Sequence, residues 1–431
     1  MEANMAAQHE KPDVAVIGGG AAGTMAAIAS AGKGLNVVII EGNDRLAAKI
    51  DATGNGRCNI SNEFIDDSCY HSSEKFDSNC FFKTFGRDDL LDFFKDHGIY
   101  FHEKNGGAIY PRTDSAATIS SALKQIAEES GVTVLSGRRA EAASIDKNGY
   151  FQINMIDNDG HRSDLETKKL LITTGGKAAP KTGSDGTGYG IAEKFGHTII
   201  ETLPALTNII TAESLKAAAL IRCDASVKLL ADGNEIGHEK GNIQFKTHSI
   251  SGIPVMQLSG RAAYYLGKGD KCELKIDFIP ELSDDDWSGE LQRRMDNAAV
   301  NGNLTLAEFA LGLVHPKIAS LVAGKLSLVA ESKIRNLNSD VLLKFLRTIR
   351  ECHFELSGVG SFDEAQTTAG GIDLDEVTSD CESKLVNGLY FAGEILDVDG
   401  KCGGYNLTFA MCGGYKAGRS AADSLIQKTG R

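Results

Sequence analysis

Apolar and polar positions along this chain alternate between two periods, one suited to strands and one to helices. Between Asp13 and Glu41, DVAVIGGGAAGTMAAIASAGKGLNVVIIE, the short apolar run to Ile17 predicts a strand. An alanine-rich helix to about Ala31 follows, and then a second strand from Asn36 to Ile40. From Phe81 the spacing turns helical, FFKTFGRDDLLDFFKDHGI, with Gly98 just past His97 as a C-cap. Residues 99–112 read as a hairpin turning at Asn105-Gly106, and Ser115 reads as the cap of a helix to about Ser130. Val132 to Leu135 predicts a strand, and Ala140 to Ile145 with Tyr150 to Ile156 an antiparallel pair. Leu170 to Gly176, LLITTGG, is a short apolar run entering glycines, as in a parallel strand whose carboxyl end faces a ligand.

Near residue 200 the pattern changes. Thr207 to Ile210, Ala225 to Leu230, Ile243 to Phe245 and Cys272 to Phe278 are short strand-like runs of a small β domain. Within it His248 to Gln257, HSISGIPVMQ, is a turn entering an apolar helix. Residues 283–350 read as mostly helical, from Ser283 capping DDDWSGELQRRM to Ser339 capping VLLKFLRTIRE. The chain then returns to glycine-rich segments, TAGG at 368–371 and GLYFAGE at 388–394. GKCGGYNL at 400–407 opens a last helix, whose small residues Ala410, Gly413, Gly414 and Ala417 suit close packing. The pattern describes an α/β fold with a Rossmann-type nucleotide-binding domain interrupted by an insertion over 200–355.

The chemistry concentrates at the glycines. Gly18, Gly20 and Gly23 stand at G-x-G-x-x-G spacing between a strand and a helix. The first permits the turn, the second lets backbone approach a pyrophosphate, and the third lets helix and strand pack closely. Glu41, 18 residues after Gly23, is placed to accept from an adenosine ribose and disfavours a 2′-phosphate. Gly54 and Gly56 suit backbone passing close to a flat or charged group, with Arg57 as a counter-charge and Cys58 beside it. Gly393 and Glu394 end the late strand, and Gly403 and Gly404 open a helix at its electropositive end. No second G-x-G-x-x-G follows a strand, so NAD(P)H has no Rossmann domain of its own here.

Composition narrows the partners. A net charge of −13 argues against nucleic acid as the main partner. Nine cysteines without a C-x-x-C pair fit a reducing cytoplasm, with neither a disulfide framework nor a metal site. Met1 to Lys11 is polar and reads as frayed, and no segment reads as a membrane span.

Six stretches carry a resemblance: VIGGGAAG (16–23), KIDATGNGRCNISN (49–62), LITTGGKAAPKTGSDGTGYGIAEKFGHT (171–198), SISGIPVMQLS (249–259), TAGGIDLDEV (368–377) and GLYFAGEILDVDGKCGGYNLTFA (388–410). The chain resembles the BaiN/YhiN-like family of FAD-dependent flavoproteins, which have a glutathione-reductase-like FAD fold. The resemblance implies an FAD-binding domain over 1–199 and 356–431, split by a β-barrel-like domain (200–282) and a small helical cap (283–355). It implies FAD contacts at Gly18, Gly20, Ala21, Ala22 and Gly23, at Glu41 and Gly42, and at Lys49, Gly56, Arg57, Cys58 and Asn59. Further contacts follow at Ala140, Thr174, Gly175 and Gly176, and at Gly393, Glu394, Gly404, Tyr405, Asn406 and Leu407. Two departures stand out: TGNGRCN where relatives often have SGGGRCN, and SISGIP where they usually have GISGP.

For function the resemblance implies an NAD(P)H-dependent reductase of conjugated C=C bonds, such as 3-oxo-Δ4 steroid or bile-acid-like enones. A flavin oxidase of a small amine or ketone such as aminoacetone is the alternative, and a binding or regulatory flavoprotein the third. The expected substrate is a small, apolar, conjugated molecule. Enone reduction needs a donor for the growing enolate charge and a proton for the α carbon. Arg112 or His248 suits the first task, and Tyr110 or Tyr405 the second.

Overall fold

The computed structural model describes residues 11–104 and 106–429. The polar stretch before Lys11 and Asn105 of the hairpin turn lie outside the described residues. The chain divides into two compact units, one formed up to Thr202 and again from Thr367, the other formed by Leu203–Gln366.

The first unit is built on a parallel sheet. Its strands are β1 (Val14–Ile17), β2 (Val37–Glu41), β3 (Thr133–Ser136), β4 (Lys169–Ile172) and β5 (Leu389–Phe391), in the order β5-β4-β1-β2-β3. Val14 pairs with both Val37 and Lys169, and Leu170 with Leu389. Every residue of β1 and β4 is buried, as expected for parallel strands covered on both faces. Alternation decides which cover each residue meets. Val14 and Val16 pack with Met25 and Ala26 of helix α1 (Ala21–Ala31) and Met411 of helix α2 (Tyr405–Thr429). Ala15 and Ile17 pack with Phe151, Ile153 and Met155 of an antiparallel sheet, Arg138–Ile145, Phe151–Asp157 and Arg162–Thr167. The strand order reverses at β1, so the crevice between the carboxyl ends of β1 and β4 is the switch point of the sheet.

The second unit holds a closed six-stranded barrel. Its strands run Ile209–Thr211, Ser249–Ser251, Asn234–Phe245, Arg222–Ala231, Cys272–Asp277 and Cys352–Val359 around the ring. The helices Ile253–Gly267, Pro316–Lys325 and Ser339–Arg350 share one core with the barrel strands. Two of the six strands are absent from the sequence reading, Ser249–Ser251 and Cys352–Val359.

Three local expectations are corrected. The helical run from Phe81 is two helices, Ser78–Phe82 and Arg87–Asp96, because Gly86 starts a new one with Asp89 accepting its N–H at 2.8 Å. Ser115 precedes the helix Ala116–Glu129 without any side-chain capping bond. The cap of Ser339–Arg350 is Asn338, whose Oδ1 accepts the Val341 N–H at 2.8 Å. The hairpin strands Phe101–Lys104 and Ala108–Pro111 are paired antiparallel, and Ser283 caps its helix as read. Among the described residues no helix is long and apolar enough to cross a membrane.

Candidate functional site

The glycine turn after β1 is fixed by contact. A Cβ on Gly18 (φ +96°) would lie 2.8 Å from the Thr173 carbonyl oxygen, and one on Gly23 would lie 1.8 Å from that of Gly18. These two positions therefore require glycine for packing. Gly20 differs: a Cβ there would meet nothing within 4 Å. Gly20 is the N-cap of α1, which has no side-chain cap and no acid in its first turn. The first amides of a helix have no acceptor inside it, so this end is left to an outside acceptor, best an anion.

Glu41, at the end of β2, is buried and already at work. Its Oε2 accepts the Gly19 N–H at 2.7 Å, and its Oε1 accepts the Asn43 backbone N–H at 2.7 Å and the Asn43 amide at 2.8 Å. A carboxylate has about four acceptor sites, so about one is left for a ligand hydroxyl. The Asn43 amide also donates to the Thr182 carbonyl at 3.0 Å, which ties the segment after β4 to Glu41. Gly42 lies beside the Arg139 guanidinium, which pairs with Asp185, and Ala140 next to it is buried.

The second glycine loop is irregular. Ala48–Asn55 is a 3-10 segment broken at Thr53 and Gly54, and Gly56 has φ +80°. Arg57 is exposed, and its guanidinium makes no hydrogen bond or ion pair among the described residues. Cys58 is fully buried at φ +57°, and burial pushes its thiol up to about 12. The Asn59 amide serves the hairpin, donating to the carbonyls of Ile109 at 3.1 Å and Ser61 at 2.9 Å.

The returning chain brings its own half. Past β5 come Gly393 (φ +83°) and Glu394. A Cβ on Gly393 would lie 2.9 Å from that of Ala22, so this turn abuts the start of α1. Glu394 Oε2 pairs with Lys49 Nζ at 2.8 Å, and its Oε1 accepts the Thr368 N–H at 3.0 Å. The Thr368 hydroxyl accepts the N–H groups of Lys177 and Ala178, at 2.8 and 3.0 Å. A Cβ on Gly176 would strike that hydroxyl at 2.3 Å. Gly175 has φ +74°, and the buried Thr174 Oγ1 has no hydrogen-bond partner. Gly404 (φ +92°) packs on the Ser61 backbone, where a Cβ would come within 2.5 Å of its oxygen. The Asn406 side chain closes the preceding loop by bonding both the N–H and the carbonyl of Gly400, each at 2.8 Å, and Leu407 after it is half-buried. The structure thus brings Gly18, Gly23 and Thr174 together at one point, and Lys49, Gly176 and Glu394 at another.

The four acid–base candidates are placed unequally. Tyr110 is half-buried with the Lys104 ammonium 4.6 Å from its ring centre. Arg112 is exposed, and its side chain makes no bond among the described residues. His248 belongs to the second unit, is exposed, and is held through its carbonyl, which accepts the Thr211 N–H at 3.0 Å. Tyr405 opens α2, half-buried and edge-on to Tyr70 at 6.1 Å. Tyr70 donates its hydroxyl to the Tyr405 carbonyl at 3.3 Å, and Phe76 and Phe409 close the aromatic group. Burial, with Cys69 adding to it, raises the Tyr405 phenol well above its ordinary range.

Three residues the sequence reading left without a role belong to this framework. Asn43 orients Glu41, and Thr368 orients Glu394. Asp397 is buried and accepts the Ser73 N–H at 2.9 Å, and burial raises its carboxyl. Thr368 and Asp397 lie inside the quoted stretches, but only the distances reveal their partners. A separate cavity of 590 Å³ lies within the second unit, lined by Phe278, Leu313 and His315 among others, none of them nominated from sequence.

Residues 12–420 match the family described as HI0933-like protein Rossmann domain. The chain is 34% identical over 414 residues to the 3-dehydro-bile acid delta(4,6)-reductase of Clostridium scindens, covering 95% of this chain and 99% of that one. It is 27% identical over 405 residues to the ribosomal RNA dihydrouridine synthase of Escherichia coli, covering 93% and 96%. Among solved structures, the 3-ketosteroid-delta4-(5alpha)-dehydrogenase of Rhodococcus jostii aligns over 97% of this chain and 99% of that one, at 16% identity and a TM-score of 0.48.

Proposed function

The chain belongs to the HI0933-like Rossmann family, and from that premise we propose that it is an FAD-dependent oxidoreductase, an NAD(P)H-linked reductase of a C=C bond conjugated to a carbonyl. One observation carries the reaction class. The two relatives are named for different substrates, a dehydro bile acid and a ribosomal uridine. Both names describe saturation of a C=C bond that lies in conjugation with a carbonyl group. Both relatives are covered almost end to end, so the shared chemistry, rather than either substrate, is what this chain takes from them.

The residues fit the cofactor. The uncapped, acid-free start of α1 at Gly20, Ala21 and Ala22 suits a pyrophosphate, and the open space over Gly20 leaves room for it. Glu41 keeps an acceptor site for a ribose hydroxyl. The unspent Thr174 hydroxyl marks a buried polar group awaiting a partner. FAD, when bound, supplies the hydride chemistry. This chain supplies position and the proton. Tyr405 is our choice as proton donor because it opens α2, half-buried, in the segment that the family resemblance puts at the flavin. Burial holds the proton on its phenol more tightly, so the donation falls to the substrate's developing charge to draw out. Exposed Arg112 is the candidate for the enolate charge.

The substrate we favour is a small apolar enone of the 3-oxo-Δ4 type. The chain's net charge of −13 opposes a polyanionic substrate such as RNA. All nine cysteines are free, which supports a reducing cytoplasm as its place of work.

Anaerobic reduction tests the reading. The purified protein is expected to release FAD on acid precipitation, to bleach with NADH or NADPH, and to reoxidise with a steroid enone faster than with a uridine-containing RNA fragment. Peroxide release from an amine without NAD(P)H, or a protein free of FAD, sinks it. Tyr405→Phe is expected to slow reoxidation by roughly a hundredfold while flavin reduction stays near normal.

A further inference from the structure

Resting on the FAD reading above, we propose that Lys49 acts through Glu394, cancelling its charge so that an anionic dinucleotide can settle beside it. Glu394 stands just beyond the carboxyl end of β5, the edge at which parallel sheets take their ligands. A bare carboxylate there would repel a pyrophosphate. Lys49 Nζ lies 2.8 Å from Glu394 Oε2, although the two residues are 345 positions apart in sequence. Its second bond, to the Ala178 carbonyl at 3.1 Å, holds the ammonium in that orientation. The Thr368 N–H fixes the other carboxylate oxygen at 3.0 Å. The two side chains are only 28% and 19% exposed, so solvent screens the pair incompletely. Arg57, exposed and unpaired among the described residues, is a cation left for direct contact with phosphate. Lys49 is therefore a positioning residue, and its role is electrostatic.

The test is FAD rebinding to the full-length protein after cofactor removal, followed by flavin fluorescence over a range of NaCl concentrations. Lys49→Met is expected to weaken FAD about tenfold at low salt, and to recover part of that loss as salt screens the exposed charge. Lys49→Arg is expected to lose less affinity than Lys49→Met, and Lys49→Met/Glu394→Gln, in which the charge to be cancelled is gone, is expected to bind FAD more tightly than Lys49→Met. A double variant as weak as Lys49→Met, or a loss in Lys49→Met that salt does not touch, overturns the proposal. Wild type that binds no FAD at all removes the cofactor reading and this role with it, so the two failures are distinct. Thermal melting of each apoprotein separates lost binding from lost folding.

Discussion

Cys58 shows how a residue beside a glycine loop is kept chemically quiet. Its thiol, pushed up to about 12 by burial, leaves about one molecule in ten thousand as thiolate at pH 8. Native protein treated with a thiol reagent is expected to label at exposed Cys80 and to spare Cys58, as peptide mapping would read. Cys58→Ser is expected to keep substantial flavin reduction, because burial holds the thiol in its protonated, unreactive form, and complete loss of turnover with flavin still bound would contradict this. Glu41 makes the opposite case. A glutamine there presents an NH2 group to donors at Gly19 or Asn43. Glu41→Gln is expected to lower the melting point of the apoprotein as well as FAD affinity, since charged hydrogen bonds of roughly 1.5–3 kcal/mol each are lost. A variant that loses affinity but melts like wild type contradicts the structural half of that role. Motif spacing nominated Glu41 and Glu394 from sequence. It left their protein partners hidden, because Thr368 and Lys49 approach Glu394 only in three dimensions.

At the scale of elements, the crossing of α1 and α2 is set by missing side chains. A Cβ on Gly414 would lie 2.1 Å from the Ala22 carbonyl oxygen, and one on Gly418 would lie 2.0 Å from that of Ala26. Ser30 Oγ donates to the Gly418 carbonyl across the same contact at 2.8 Å. Gly418→Ala is expected to destabilise by about 1–3 kcal/mol or more through overpacking. Gly190→Ala, at an exposed position of the helix Thr187–Lys194 where a Cβ meets nothing, is expected to be neutral or slightly stabilising. Melting curves of the two variants check the contrast. The small face of α2 was legible in its alanines and glycines, though its partner helix was not. The helical run from Phe81 looked continuous because its apolar spacing crosses Gly86 undisturbed, whereas the break comes from Asp89 folding back to cap it. Cys352–Val359 alternates buried and exposed, a strand period, but it follows a helix so closely that the run looked like more of the same.

At the scale of the whole chain, one buried group ties the segment before the second unit to the segment after it. His197 Nδ1 meets Glu376 Oε2 at 3.0 Å, and Nε2 meets Ser383 Oγ at 2.8 Å, with the His197 side chain fully buried. Burial lowers the affinity of this imidazole for protons by more than Glu376 raises it. The unfolded chain therefore takes up a proton here as pH falls below about 6.5 while the folded chain resists it, so this contribution is complete above that value and fades below it. Wild type is expected to lose melting temperature between pH 7 and 5.5 more steeply than His197→Gln, and parallel curves would exclude the effect. Periodicity and glycine spacing made the sheet and the interruption readable because both are local patterns. The tie at His197 was not, because its partners lie 179 and 186 residues away. The same separation has a consequence for biosynthesis. The buried residues of α1 leave the ribosome well before their partner helix, and Ser30 meets Gly418 only after 388 further residues are translated. Throughout that interval the nascent glycine turn lacks the helix that backs it. A product that stops before Gly414 is therefore expected to lack the helix that packs on Ala22 and Ala26.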